Sequence, residues 1–197
     1  RTGGRVLDLA CGHGRHARYL ASRGHAVVAV DRDVAALEML QHEADSGPAL
    51  ASSGLVETLQ CDLESSPWPF AAASFDAIMV TNYLHRPIFT PILASMRPHG
   101  VLIYETFAEG HERLGRPRNP SFLLRRDELL ELIPRNWIVV AFEQGLEEGL
   151  EPAVRQRPVP TSQVFGEHSA SALHAAQAPA VHTRPPEQSM VWVHGLP

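Results

Sequence analysis

Apolar and polar positions follow two different rhythms along the first hundred residues. Short apolar runs lie at Arg5–Ala10, Ala26–Val30, Val56–Gln60, Phe75–Thr81 and Gly100–Thr106. Their length and β-branched content predict strands. Apolar residues recur at helical spacing over Gly14–Arg23, Val34–Ala44 and Pro87–Met96, and the turn Pro98-His99-Gly100 precedes the fifth strand. Alternating strand and helix patterns predict an α/β fold with an open, doubly wound, mostly parallel sheet. Right-handed crossovers then gather the strand C-termini, and any ligand, along one edge.

The rhythm changes after the fifth strand. Phe107–Phe122 is rich in Gly, Arg, Asn and Pro and reads as a long loop beside the ligand edge, of a length that suits a lid. A helix is expected at Arg125–Ile133, where Asp127 and Glu128 suit the positive end of the helix dipole. A strand is expected at Trp137–Phe142. From Glu151 no period persists: seven of the 16 prolines and four of the 11 histidines lie between Pro152 and Pro197. The expected organisation is a ligand-binding domain over 1–150 and an irregular Pro/His/Ala-rich tail over 151–197, with Met190–Val193 as its one possible strand.

Composition narrows the class. A chain of 197 residues with 44% hydrophobic and 20% charged content suits one soluble domain. The formal charge of −5 argues against broad binding to nucleic acid or to an anionic membrane. All 17 positive side chains are arginine, read here mainly as a coding bias. Cys11 and Cys61 make no disulfide framework, so free thiols in a cytoplasmic protein are expected. No leader or spanning run is visible. The chain opens on its first strand without an initiator Met, which reads as a fragment that has lost an N-terminal helix or lid.

Candidate chemistry concentrates where the first strand meets its helix. Gly12-His13-Gly14-Arg15-His16-Ala17 satisfies a GxGxxA fingerprint, a weak signal alone. Asp31, 19 residues beyond Gly12, ends the second strand, where a carboxylate can grip a ribose diol. Asp8 ends the first strand before the glycines. A nicotinamide-binding unit runs apolar straight into its first glycine, so an acid here suits a ligand with a positively charged amino group. Cys61 reads as a small packing residue, and Asp76 at the start of the fourth strand as structural. The tail histidines have no metal-ligand spacing, and no metal is expected.

Val6-Leu7-Asp8-Leu9-Ala10-Cys11-Gly12-His13-Gly14 resembles motif I of the class I S-adenosylmethionine-dependent methyltransferases, with Ala10 in place of the motif's first glycine. The resemblance implies that the backbone around Ala10, Gly12 and Gly14 meets the methionine part of S-adenosyl-L-methionine. It further implies that Asp8 orients the cofactor's amino group and that Asp31, with Arg32 beside it, binds the ribose. Cys61-Asp62-Leu63 is similar to the family's adenine site, with Asp62 accepting from the adenine amino group and the Leu63 amide meeting a ring nitrogen. The competing reading of Asp62 is a turn cap.

Phe75–Pro87 resembles the family's fourth strand and the loop that follows. Asn82 is assigned to the cofactor, and Tyr83 and His85 to the pocket or to proton removal. Tyr83, Arg86, Glu105, Arg116 and Arg118 are assigned to the acceptor. Alternatively, Tyr83 packs, His85-Arg86 caps the next helix, and the loop arginines pair with Glu109 and Glu112. Tyr104–Phe107 and Gly115–Pro120 are similar to a bacterial branch near the tellurite-resistance type. The resemblance runs from Arg5 to about Phe142 and lapses beyond Arg157. It implies a last antiparallel strand near Ala153–Gln156, which Pro158 and Pro160 are expected to spoil.

The expected activity is methyl transfer to a small-molecule acceptor. A nicotinamide-dependent reductase and a non-catalytic nucleoside- or partner-binding module stay open as alternatives. Neither the acceptor nor the oligomeric state follows from the sequence.

Overall fold

The computed structural model describes residues 3–46, 56–147, 152–157 and 193–195. They form two compact units: the chain up to Thr81 together with His85–Leu102, and Asn82–Leu84 together with the chain from Ile103.

In the first unit lie β1 (Arg5–Leu9), α1 (Arg15–Ser22), β2 (Ala26–Asp31), α2 (Val34–Ser46), β3 (Val56–Gln60), β4 (Phe75–Thr81), α3 (Phe89–Ala94) and the start of β5 (Met96–Phe107). The strand order is β3-β2-β1-β4-β5. Parallel pairing places Leu7 opposite Val28 on one side and opposite Ile78 on the other. β1 and β2 are near-continuous apolar runs because both their faces are covered. Ala17, Leu20 and Ala21 of α1 and Ala36, Leu37, Leu40 and Ala44 of α2 supply part of the cover. The chain reverses its direction of winding between β1 and β4, so the strand C-termini there form a topological switch point.

Two boundaries differ from the sequence reading. The helix expected at Pro87–Met96 divides into a 3-10 turn, Arg86–Ile88, and α3. Pro91 has no N–H and fits only in a first helical turn, so α3 starts at Phe89. Pro98-His99-Gly100 lies inside β5, kinked by His99 at φ 62. A Cβ on Gly100 would sit 2.8 Å from the Arg97 carbonyl oxygen, so the kink needs glycine.

In the second unit, α4 (Glu128–Leu132), β6 (Trp137–Val139), β7 (Glu143–Glu147) and β8 (Ala153–Arg157) follow the end of β5. The helix expected over Arg125–Ile133 is shorter because Asp127 is left-handed, at φ 60. The expected Trp137–Phe142 strand stops at Val139, and β7 was not foreseen. Its Glu143-Gln144-Gly145-Leu146-Glu147 sequence carries one large apolar residue, and pairing with β8 organises it. Ion pairs from Arg157 to Glu143 and Glu147 reinforce the ladder.

The last strand is formed, contrary to the expectation that prolines spoil it. β8 runs antiparallel to β5, with Thr106 opposite Gln156 and Phe107 opposite Arg155. Pro158 and Pro160 fall beyond its last residue, so no ladder donor is lost. A further strand, β9 (Val193–Gly195), pairs antiparallel with β6. Residues 158–192, with most of the tail and Met190-Val191-Trp192, lie outside the described residues.

Gln156 ties β8 into its unit. It is fully buried, its Nε2 donates to the Arg125 carbonyl, and its Oε1 accepts from the Leu129 amide at 3.1 Å. Gln156→Leu leaves the Leu129 amide buried and unpaired, while the Arg125 carbonyl keeps the Glu128 N–H, and is expected to lower stability by about 1–3 kcal/mol. Urea unfolding checks this; a loss below about 0.5 kcal/mol would contradict a docked β8.

Candidate functional site

The turn after β1 passes through three left-handed residues: Ala10 at φ 54, Gly12 at φ 52 and Gly14 at φ 73. The alanine holds a conformation that L side chains resist. Backbone bonds compensate: Cys11 N–H donates to the Val30 carbonyl at 2.9 Å, and Gly14 N–H to the Cys11 carbonyl at 2.9 Å. Asp31, at the tip of β2, lashes the turn down by accepting from Gly12 N–H at 2.8 Å through Oδ2, while its Oδ1 accepts from Asp33 N–H at 2.9 Å. Both carboxylate oxygens are therefore oriented before any ligand arrives. Arg32 beside it is exposed.

The two glycines do different work. A Cβ on Gly14 would lie 2.5 Å from Cδ2 of Leu40, so its absence lets α1 and α2 meet. A Cβ on Gly12 would meet nothing within 4 Å, so the backbone there faces open space.

Asp8 is the anomaly of the unit. It is 1% exposed in an otherwise apolar strand, and neither carboxylate oxygen has a hydrogen-bond partner among the described residues. Burial pushes the carboxyl up to about 7, with Asp31 adding to the rise. The Ala17 amide, short of a formed hydrogen bond, and the Arg15 charge pull it down less. A buried, unpaired carboxylate raises the free energy of the fold, a cost that a proton or a cation would offset.

His16 and Thr81 stand at the switch point, and the sequence reading gave neither a role. The imidazole Nδ1 lies 3.5 Å from the Thr81 hydroxyl, and Arg15 Nη2 donates to Nε2 at 3.1 Å. A guanidinium only donates, so Nε2 is the unprotonated nitrogen. Burial and the Arg15 charge hold the ring below the usual histidine range, hence neutral at pH 7. The available signal was its place two residues past Gly14, in the first turn of α1. Cys11 is no nucleophile: burial, then the Asp8 and Asp31 charges, push its thiol up to about 12.

Asp62 takes the turn-capping geometry. It accepts from Glu64 N–H at 3.0 Å and from the Ser65 hydroxyl at 2.7 Å, and these bonds hold its carboxyl below the usual range. Leu63 beside it is buried. Asp76 is structural, accepting from Arg5 N–H at 2.7 Å and from Arg97 Nη1 at 2.8 Å.

The second unit gathers other expected residues around one that was not expected. Asn82, left-handed at φ 56, donates its N–H to the Glu105 carbonyl at 2.9 Å. The Tyr104 hydroxyl donates to the Tyr83 carbonyl at 3.0 Å. Arg155 of β8 donates to the Asn82 Oδ1, and its Nη1 lies 3.2 Å from Glu105 Oε1. Within the 107–122 segment, buried His111 stacks on Phe107 at 4.2 Å and bonds to the Arg116 carbonyl at 2.8 Å. Arg116 and Arg118 are exposed, and Arg118 bonds to the Gly115 carbonyl. Arg113 pairs with Glu112. In the first unit, His85 precedes the 3-10 turn that Arg86 begins and makes no side-chain cap.

Comparison with known proteins gives the first hundred residues a likeness. Residues 6–100 match the methyltransferase domain family. Over those residues the chain carries a methyltransferase domain. A curated relative, the mitochondrial ubiquinone biosynthesis O-methyltransferase of Schizosaccharomyces pombe, is 26% identical over 109 residues, 54% of this chain. The chain spans 39% of that relative's length. A SAM-dependent methyltransferase from Methanosarcina mazei shares the fold at TM-score 0.61 and 17% identity, over 81% of this chain and 94% of its own. TehB from Haemophilus influenzae does so at 0.60 and 19%, over 80% and 58%.

S-adenosylmethionine is the cofactor of this family, and the methyltransferase turn fits its chemistry. The cofactor carries an ammonium, which an orphaned buried carboxylate such as Asp8 suits, and it needs room against backbone, which Gly12 leaves. No helix among the described residues is long and apolar enough to cross a membrane.

Two stability predictions follow from this geometry. Gly14→Ala is expected to cost about 2–4 kcal/mol through strain and the Leu40 clash, against about 1 kcal/mol for Gly12→Ala, compared by denaturant unfolding. Asp8 holds its proton in the folded chain between its unfolded value of 3.8 and about 7. Its penalty is therefore absent below about pH 4, grows through that window and is full above about pH 7. Asp8→Asn is expected to stabilise the ligand-free protein at pH 8 by up to about 4 kcal/mol, the gain vanishing towards pH 4. An equal effect at both pH values would contradict the assignment.

Proposed function

We propose that this chain binds S-adenosylmethionine along the C-terminal edge of β1, β2 and β3 and transfers its methyl group to a small-molecule acceptor in the cytoplasm. The observation that supports this best is Asp8, a buried carboxylate with no hydrogen-bond donor among the described residues, at the strand end where the ligand's ammonium is expected. When bound, the cofactor supplies a methyl group activated by its sulfonium; the protein's part is to bind, orient and exclude water.

In this reading the Asp8 carboxylate pairs with the ammonium, and the turn over Ala10, Gly12 and Gly14 receives the methionine part. Asp31, already oriented by Gly12 and Asp33, accepts from the ribose hydroxyls with its remaining lone pairs, with Arg32 alongside. Asp62 accepts from the adenine amino group and the Leu63 amide meets the ring, after the turn bonds have fixed the carboxylate. Asn82 completes the cofactor set. Tyr83, His85, Arg86 and Glu105 serve the acceptor, Tyr83 and His85 being the groups able to take its proton. Arg116 and Arg118, exposed and with like charge, meet an anionic acceptor in this reading. A net charge of −5 disfavours a nucleic-acid acceptor.

Calorimetry with S-adenosylhomocysteine and NADH tests the reading. S-adenosylhomocysteine is expected to bind and NADH not to. Because the ligand ammonium pairs with the ionised form of Asp8, affinity is expected to fall as the pH drops below about 7, by up to tenfold per unit. Asp8→Asn should bind more weakly and lose that pH dependence. Tight NADH binding without S-adenosylhomocysteine binding would overturn the proposal.

A further inference from the structure

Arg155, which the sequence reading did not assign to the site, makes polar contacts with three side chains. Its Nη1 donates to Asn82 Oδ1 and lies 3.2 Å from Glu105 Oε1. Its Nε is 3.4 Å from Glu147 Oε2, and its guanidinium carbon lies 4.3 Å from the Phe107 ring centroid. The side chain is only 17% exposed. The planar fork is thus held from three strands, β5, β7 and its own β8, and by the residue that follows β4.

The geometry decides which way the Asn82 carboxamide faces. A guanidinium has donors only, so the atom bonded to it must be the amide oxygen. The Asn82 NH2 group therefore points away from Arg155, and Asn82 is an exposed residue. Asn82 is bound a second time through its main chain, to the Glu105 carbonyl, and both bonds hold a left-handed backbone that asparagine tolerates better than most residues. A residue fixed in backbone, side-chain direction and amide orientation is preorganised as a hydrogen-bond donor.

We propose that Arg155 is a positioning residue: it turns the Asn82 carboxamide so that its NH2 donates to an oxygen of the bound nucleoside ligand, and it holds Glu105 beside it. The inference rests on the methyl-donor reading above and adds a residue from the last strand, which that reading did not require. Arg155 touches no ligand itself. Its ion pairs with Glu105 and Glu147 keep the guanidinium from turning away, and Phe107 supports its face.

Calorimetry with S-adenosylhomocysteine on the full chain, paired with thermal melting, tests it through four variants. Asn82→Asp keeps an acceptor for Arg155 and tolerates the left-handed backbone, but it has no NH2. It is expected to melt within a few degrees of the parent and to bind about tenfold more weakly. Arg155→Met is expected to bind about tenfold more weakly, and the Asn82→Asp/Arg155→Met double variant no more weakly than either single one. Arg155→Lys retains the charge between Glu105 and Glu147, so it keeps the fold if Arg155→Met does not. It is expected to recover affinity only in part, because one ammonium cannot reproduce the fork. Unchanged affinity in Asn82→Asp, or effects of Asn82→Asp and Arg155→Met that multiply in the double variant, would overturn the proposal while leaving the methyl-donor reading intact. A parent chain that does not bind S-adenosylhomocysteine would overturn both.

Discussion

A carboxylate enclosed at the end of an apolar strand, with no donor reaching either oxygen, raises the free energy of a fold unless something else neutralises it. Among the described residues Asp8 is in that position. β1 is covered on both faces, so water cannot solvate the group. The glycine turn begins two residues later and carries the chain away without presenting an amide to it. The Ala17 amide and the Arg15 charge on the flanking helix favour the ionised form and Asp31 on the flanking strand disfavours it, each by less than burial does. Relief comes either from a proton, which the raised pKa allows near neutrality, or from a ligand cation. The first couples stability to pH and, in the proposed reading, the second couples it to binding.

The turn shows the same division between packing and binding. Gly14 is glycine because Leu40 occupies the space a side chain would need. Gly12 stands beside open space at a left-handed φ of 52, a backbone conformation that favours glycine. Asp31 connects the two requirements: by accepting from the Gly12 amide it fixes the turn to β2, and its carboxylate then stands oriented at the strand tip. In the second unit Arg155 has the corresponding place, ordering Asn82 and Glu105 from a strand far along the chain.

The first unit was largely legible in the sequence because its signals are local. Buried parallel strands read as continuous apolar runs, and the acids at the ends of β1 and β2 are visible where the runs stop. The second unit was less legible because its order comes from pairing between distant segments. β7 has one large apolar residue and depends on β8. β8 was expected to fail on account of Pro158 and Pro160, although a proline past the last paired residue disturbs nothing. Arg155 could not be singled out among 17 arginines, since its partners Asn82, Glu105 and Glu147 meet it only in the folded chain. His16 lay in plain view within the fingerprint, yet its neutral form depends on burial and on Arg15.

The titration of the Asp8 carboxyl, followed by carbon NMR in the free protein and with S-adenosylhomocysteine bound, tests the central claim most directly. In the free protein the resonance should titrate near 7, where burial places it. With ligand bound, pairing to the ammonium should move the titration down by two units or more. A carboxyl that already titrates near 4 in the free protein, or one whose titration is unmoved by saturating ligand, would contradict the account.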